Sequence, residues 1–347
     1  MPSPLTIDQI TPDTPASDVA RCLREPAVPG PDAEWWKWAN VIEGFQLGVA
    51  DCLNSIPVFP APSKQRGIVI VGGGKYLPSV YVTVRVLRHV GCDLPIEIWH
   101  FDGEEDQAMF DAISDYDVRF VNASKLASEN GFRFLDWNWW RGWQLKSFAL
   151  LNSEFREVLF LDADCYPNRN PEYLFDWPEY RDLGAVIWPD IVHSTPAISN
   201  ETCQLFEISP FNERLAESGQ LLIDREKSWR SLVLAGFYNQ CADICYRYVW
   251  GDKDTFPFAW KRTGVPYGRM WPECHCQSDC IFQFDFRGHV IFQHRVADKF
   301  RTDNTKFDST PQWRGKNKYH AGLAHESFCF YVLDELQTLL KHGDAAS

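Results

Sequence analysis

The chain lacks any stretch approaching the ~18–20 consecutive apolar residues of a membrane span. Its N-terminus, Met1-Pro2-Ser3-Pro4 followed by Asp8, Asp13 and Asp18, has no basic segment ahead of an apolar core, so it does not read as a secretory signal. A cytoplasmic location is the expectation; a chain begun downstream of an anchor would read the same way. Positive charge is also short, with 34 Lys and Arg against 47 Asp and Glu and a net charge of −13. Nothing global draws such a chain to nucleic acid or to anionic membrane, although a local basic pocket for a small phosphate ligand stays open. Gly (21) and Pro (22) are too few for a low-complexity chain. The 11 cysteines are odd in number and scattered, several in apolar settings such as Phe328-Cys329-Phe330. They read as buried thiols rather than as a disulfide framework.

What is present is an ordinary globular balance, 45% apolar and 23% charged, with an unusual load of 15 tryptophans. Two clusters, Trp35, Trp36 and Trp38 and then Trp137, Trp139, Trp140 and Trp143, are candidates for stacking on sugar faces. Filling core space is the ordinary use of any one of them. Residues 1–32, rich in Pro and Asp, are expected to form a loosely packed arm. From Asp32 the residues Trp36, Ile42, Phe45, Val49, Leu53 and Ile56 recur at three- and four-residue spacing, which predicts an amphipathic helix capped by Asp32 and ended by Pro57. We divide the chain into this arm and helix, 1–65, and one further domain, 66–347.

From Gly67 the pattern alternates. Ile68 to Val71, Ile96 to Phe101, Val118 to Val121 and Val158 to Leu161 predict strands. Ser79 to Val90, Glu104 to Ile113 and Gln144 to Leu151 predict helices. Continuous apolar runs of four are strands buried on both faces, so the fold is α/β with a mostly parallel sheet. Later, Ala185 to Trp188, Gln220 to Ile223 and His289 to Gln293 read as strands, and Glu226 to Asn239 and Glu326 to Leu340 as helices. Ligands of such sheets sit beyond the carboxyl ends of the strands.

Two of those ends carry chemistry. The first strand runs into Gly72-Gly73-Gly74-Lys75-Tyr76, where glycines let a ligand approach the backbone. The spacing is neither a dinucleotide fingerprint nor a Walker A loop. The run Leu159-Phe160-Leu161 delivers Asp162-Ala163-Asp164. Carboxylates at i and i+2 of extended chain point the same way and can share one hard divalent cation, Mg²⁺ or Mn²⁺. Lys146, one helix earlier, is placed to pair with Asp162 or with phosphate, or to lie along the surface on its own stem. A third cluster, Cys274, His275, Cys276 and Cys280, with Cys241 and Cys245 as further candidates, is a weaker zinc candidate without the paired Cys-x₂-Cys knuckles.

The blocks Ser147 to Leu151, Val158 to Asp164 and Pro167-Asn168-Arg169-Asn170-Pro171 together resemble the metal-site region of GT-A glycosyltransferases. More narrowly, they are similar to the fungal α-mannosyltransferases that branch mannan. Gly67 to Leu87, Glu217-Ser218-Gly219-Gln220 and Gly251 to Phe256 fit in order, so the resemblance covers about residues 67–300. It implies a GT-A-like (Rossmann-like) mixed, mostly parallel sheet flanked by helices, and a metal-dependent retaining transferase. The donor would be a nucleoside-diphosphate sugar, GDP-mannose for this family, and the acceptor a glycan or other hydroxyl. Gly72 to Tyr76 would bind the nucleoside. The wider glycogenin-like group implies that Asp252 and Asp254, with Glu217 behind them, line the sugar pocket, although Lys253 stands where that group often has an amide. It also implies His294 as third metal ligand and Lys299 as a diphosphate contact. The stretch Trp137 to Trp143 would floor the acceptor site. Those fungal enzymes carry an N-terminal membrane anchor, so a chain cut from one would sit in the Golgi lumen.

Three rivals stay open on sequence alone. One is a non-catalytic glycan- or nucleotide-binding protein on the same scaffold. Another is a transferase using a UDP-sugar. The last is a nucleotidyltransferase or sugar-diphosphate hydrolase, against which the lack of a basic Gly-rich loop counts.

Overall fold

The computed structural model describes residues 9–23, 35–135, 140–193, 197–277, 280–296, 299–302 and 319–344. Helices α1 (Ala16–Cys22) and α2 (Ala39–Asn54) precede the sheet. Then β1 (Lys64–Val71), α3 (Leu77–His89), β2 (Ile96–His100), α4 (Gln107–Ile113), β3 (Val118–Asn122), α5 (Ala123–Asn130), α6 (Trp140–Asn152) and β4 (Phe155–Asp162) alternate. They are followed by β5 (Cys165–Pro167), α7 (Pro178–Leu183), β6 (Ala185–His193), α8 (Asn200–Leu205) and β7 (Arg214–Asp224). Helices α9 (Trp229–Gln240), α10 (Ala242–Tyr248) and α11 (Thr255–Thr263) lead to β8 (Gly268–Arg269), β9 (His275–Gln277), β10 (Cys280–Phe284) and β11 (Val290–Arg295), and α12 (Glu326–Asp344) closes the chain.

The main sheet has seven strands in the order β3-β2-β1-β4-β7-β6-β8. The pairs β1–β2, β1–β4, β2–β3 and β6–β8 are parallel, and only the two pairs made by β7 are antiparallel. This is the mixed, mostly parallel sheet expected. Its strands read as continuous apolar runs because both faces are covered: Ile68 and Ile70 face one buried cluster, with α3 and α12, and Val69 between them faces the other, with α2, α6, α9 and α11. The chain crosses from the β2 side of β1 to the β4 side, so the carboxyl ends of β1 and β4 flank the switch point where such sheets bind ligands.

The sequence does not anticipate a second, antiparallel sheet, β5-β11-β10-β9. It is tied to the first by Gln283 Nε2 donating to Pro189 O (2.9 Å) and by Trp188 Nε1 donating to Phe284 O (2.9 Å).

One expectation needs correction. The N-terminal segment is not loosely packed where it is described: Val19, Cys22 and Leu23 are fully buried, and α1 lies against α2 in the same apolar cluster as Phe237 and Tyr238. A short apolar stripe among polar residues was enough to bury it. The predicted cap Asp32 lies outside the described residues, and α2 starts after a 3₁₀ turn, Trp35–Lys37. Among the described residues, no helix is long and apolar enough to cross a membrane.

Candidate metal and donor site

Strand register builds the centre. Parallel pairing sets Val71 beside Asp162, so the glycines after β1 meet the turn after β4; a Cβ on Gly72 would touch Ala163 Cβ at 3.0 Å. Antiparallel pairing of β5 with β11 sets His294 beside Cys165, and the Arg295 amide donates to Asp164 O at 3.0 Å. The imidazole therefore arrives at the two aspartates from the second sheet. Nε2 lies 3.3 Å from Asp164 Oδ1 and 3.7 Å from Asp162 Oδ2, and Nδ1 lies 3.4 Å from Glu217 Oε1. Gly219 makes this possible, since a Cβ there would stand 2.4 Å from His294 Nδ1.

Ligand atoms of Asp162, Asp164 and His294 all lie within 4.8 Å of one another, the one such group of three or more among the described residues. Two carboxylates and an imidazole suit Mn²⁺ or Mg²⁺. Asp162 Oδ1 is buried and accepts no hydrogen bond, which a bound cation would remedy. The residues present fit the group.

Lysines brace the cluster. Buried Lys146 donates to Asp162 Oδ2 (2.9 Å) and Ser218 Oγ (3.0 Å) and lies 3.5 Å from Asp252 Oδ2, while Ser218 Oγ donates to Asp252 at 2.7 Å. Burial pulls the Lys146 ammonium down, but Asp162 and Asp252 outweigh it and hold the group above the ordinary lysine range. Lys299 pairs with Asp164. Burial brings Lys299 down to about 7 against the attraction of Asp162. Burial would raise Glu217, yet His294, Lys146 and Lys253 hold it at about 2. His294 is raised, with Glu217 and Asp162 overcoming the cost of burying its charge. A divalent ion would take over that positive charge and favour the neutral, ligating imidazole.

Beyond Ser218 lie the residues expected at the sugar. Asp252 and Asp254 are buried, not part of a charged surface loop. Burial raises both, Asp254 to about 7. Lys253 pairs with Asp190, a residue that sequence reading missed. Asp190 is buried within β6, and its pKa is raised by that burial and by Glu217. The signal was available: an Asp directly behind Ala185-Val186-Ile187-Trp188-Pro189 repeats the pattern that marks Asp162.

The loop expected to take the nucleoside forms a 3₁₀ turn, Gly74–Tyr76, tied down by the Gly74 amide on Glu104 O (2.8 Å). A cavity of about 280 Å³ opens beside it, lined by Lys75, Glu104, Glu105 and Thr302 among others. Trp137 and Trp139 lie outside the described residues; Trp143, partly buried, packs edge-on against Tyr246 at 5.8 Å. Cys274 is half-buried, Cys276 exposed and Cys280 buried, spread over β9 and β10, while Cys241 and Cys245 lie in the main core. All the described cysteines are free thiols.

A family model described as "Mannosyltransferase putative" matches residues 65–213 and 206–269, more than half of the chain. The chain belongs to this mannosyltransferase family.

Its curated relatives agree. The chain is 29% identical over 250 residues to the alpha-1,2-mannosyltransferase MNN24 of Candida albicans, covering 59% of this chain and 34% of that protein. It is 26% identical over 296 residues to the alpha-1,2-mannosyltransferase MNN5 of Saccharomyces cerevisiae, covering 69% and 50%. The chain thus spans a third to a half of the length of these relatives. Among solved structures, core-mannan synthase A of Aspergillus fumigatus, in its Mn/GDP form, overlays with a TM-score of 0.45 at 8% identity, covering 64% of this chain and 80% of that one. Within the mannosyltransferase match fall Asp162, Asp164, Asp190, Glu217, Asp252 and Asp254; His294 and Lys299 lie beyond it, the first joined to the site by the β5–β11 pairing and the second by its ion pair with Asp164.

Proposed function

We propose that this mannosyltransferase-family chain moves an α-mannosyl group, with retention, from GDP-mannose to a hydroxyl of a glycan acceptor; its relatives are named alpha-1,2-mannosyltransferases. The observation that carries the proposal is the Asp162–Asp164–His294 group at the switch point of the sheet, Asp162 partly open to solvent and the other two buried. These three residues would hold Mn²⁺ or Mg²⁺. What a bound divalent cation supplies there is charge neutralisation on the departing diphosphate.

The chain's own residues do the rest. Lys146 fixes Asp162 and Asp252 relative to one another and keeps its proton throughout. Lys299 offers a positive charge to the diphosphate as the glycosidic bond breaks. The Gly72 to Tyr76 backbone takes the nucleoside. Glu217 and Asp252 supply carboxylate beside the anomeric carbon, where positive charge develops, and Asp254 adds a carboxyl that ionises only near pH 7. Burial of these groups keeps water from competing for the transferred sugar.

The test is GDP release from GDP-mannose with Mn²⁺ and an α-mannoside acceptor, read beside a thermal-shift assay. Wild type should release GDP. It should also gain ~2.7 kcal/mol of stability at about 100 times the donor's dissociation constant, only with Mn²⁺ present. Asp162→Ala and Asp164→Ala should lose both responses and keep the fold. A folded wild type with neither response, or variants that keep activity, would end the assignment.

A further inference from the structure

The candidate metal ligand His294 is buried, and its two ring nitrogens face different partners. Nε2 lies against Asp164 Oδ1 and Asp162 Oδ2, whereas Nδ1 faces Glu217 Oε1, 3.4 Å away. Nδ1 is buried and closes no hydrogen bond among the described residues. A bulge brings Glu217 there. Ile187 of β6 pairs with Leu221 of β7, but the next residue, Trp188, pairs with Glu217, so Ser218, Gly219 and Gln220 stand out of that pairing. Bulges of this kind re-aim side chains beside functional sites. Ser218 turns to Lys146 and Asp252, and Glu217 folds back so that Oε1 accepts the Gly219 amide at 2.7 Å. Gly219 has no Cβ to intrude: one would stand 2.4 Å from His294 Nδ1 and 3.1 Å from Glu217 Oε1, in the space those two atoms share.

Imidazole chemistry decides what this meeting is for. A neutral ring has one N–H and one lone pair. A nitrogen that holds a cation gives its lone pair, so the proton sits on the other nitrogen. In His294 the nitrogen beside both aspartates is Nε2, which leaves the proton on Nδ1. A buried N–H needs an acceptor, and the Glu217 carboxylate is the one in front of it. The other tautomer would aim an N–H at the cation and a lone pair at a carboxylate, unfavourable at both ends. We propose that Glu217 is a positioning residue for the cation site: its Oε1 accepts a hydrogen bond from His294 Nδ1, which fixes the ring and its tautomer and keeps the Nε2 lone pair for a divalent cation. This rests on the metal-dependent transferase reading above and gives one of its sugar-pocket carboxylates a second role, at the ion.

The test titrates Mn²⁺ into the protein alone, read by electron paramagnetic resonance. It compares wild type, Glu217→Gln, Glu217→Leu, His294→Ala and the double variant Glu217→Leu with His294→Ala. GDP release from GDP-mannose and thermal melts are measured alongside. Leu fills the space of Glu and offers no acceptor, whereas Gln keeps an oxygen for the Nδ1 proton. Glu217→Leu should bind Mn²⁺ about 10–100-fold more weakly, and Glu217→Gln should recover most of that affinity. Once His294 is Ala, Glu217→Leu should cost less than about twofold. This last comparison separates orientation of the ring from a bare charge near the ion, which would act with or without the imidazole. Where Glu217→Leu melts early, Glu217→Met, equally without a strong acceptor, replaces it. Mn²⁺ affinity kept within about twofold in Glu217→Leu while GDP release collapses puts Glu217 at the sugar alone and overturns the proposal. An equal loss in both backgrounds also overturns it. A wild type whose Mn²⁺ binding depends on Glu217 through His294, yet which releases no GDP, overturns the transfer reading and leaves the positioning role standing.

Discussion

At the scale of single residues, the site depends on atoms that are missing as much as on those present. Gly219 leaves the space that His294 fills. Gly219→Ala should push the imidazole away while costing the fold only ~1–3 kcal/mol of overpacking. We expect Mn²⁺ affinity, read by electron paramagnetic resonance, and GDP release to fall about 100-fold together; an unchanged Mn²⁺ affinity would show that His294 is not a ligand. Asp254 bears on stability instead. Its carboxyl, fully buried, titrates near 7, against an ordinary 3.8. Between those values the folded chain holds a proton that the unfolded chain has released. Stability is therefore fully present below about pH 4 and falls as pH rises to about 7, by at most ~1.4 kcal/mol per pH unit from this one group. Asp254→Asn should remove that slope, so in urea melts the variant gains on wild type between pH 5 and pH 7.5. An unchanged difference at the two pH values would mean that the carboxyl is ionised in the fold throughout.

At the scale of elements, α1 and α2 are part of the core. Phe45 on α2 stacks with Phe237 (6.0 Å) and Tyr238 (5.9 Å) and meets Phe206 edge-on at 5.8 Å. Phe45→Ala should cost ~3–5 kcal/mol in a denaturant melt; a loss under ~0.5 kcal/mol would restore the loose arm that Pro and Asp content suggests. Legibility followed burial. β1 and β4, covered on both faces, announced themselves as apolar runs, and an Asp pair behind one of them pointed to the candidate cation site. Helix α9 is buried almost all round, so no stripe marks its limits, and it starts at Trp229 rather than Glu226. α10 and α11, at seven and nine residues, are too short to show a period. β9 and β10 belong to a sheet whose pairing is long-range, which no local pattern announces. Lys146 read equally well as a surface residue because only tertiary packing brings Ser218 and Asp252 to it. His294 came from family resemblance and order, since a lone histidine after a strand carries no geometry of its own.

At the scale of the molecule, negative charge is concentrated where the chemistry is. Asp162, Asp164, Asp190, Glu217, Asp252 and Asp254 face three ammonium groups, Lys146, Lys253 and Lys299, and a histidine held toward its charged form. In a chain already at −13, this local surplus of carboxylates lies where the proposed cation and sugar donor would bind. The two sheets share the work: the first contributes the aspartates and the second the imidazole. The second is anchored in turn by buried Arg295, whose Nη1 donates to both Glu326 oxygens at 2.9 Å, at the start of α12. The proposed centre therefore needs both sheets: the first alone would present the aspartates, and only the β5–β11 pairing sets His294 beside them, so loosening the second sheet at its Arg295–Glu326 anchor would cost the proposed cation site its third ligand.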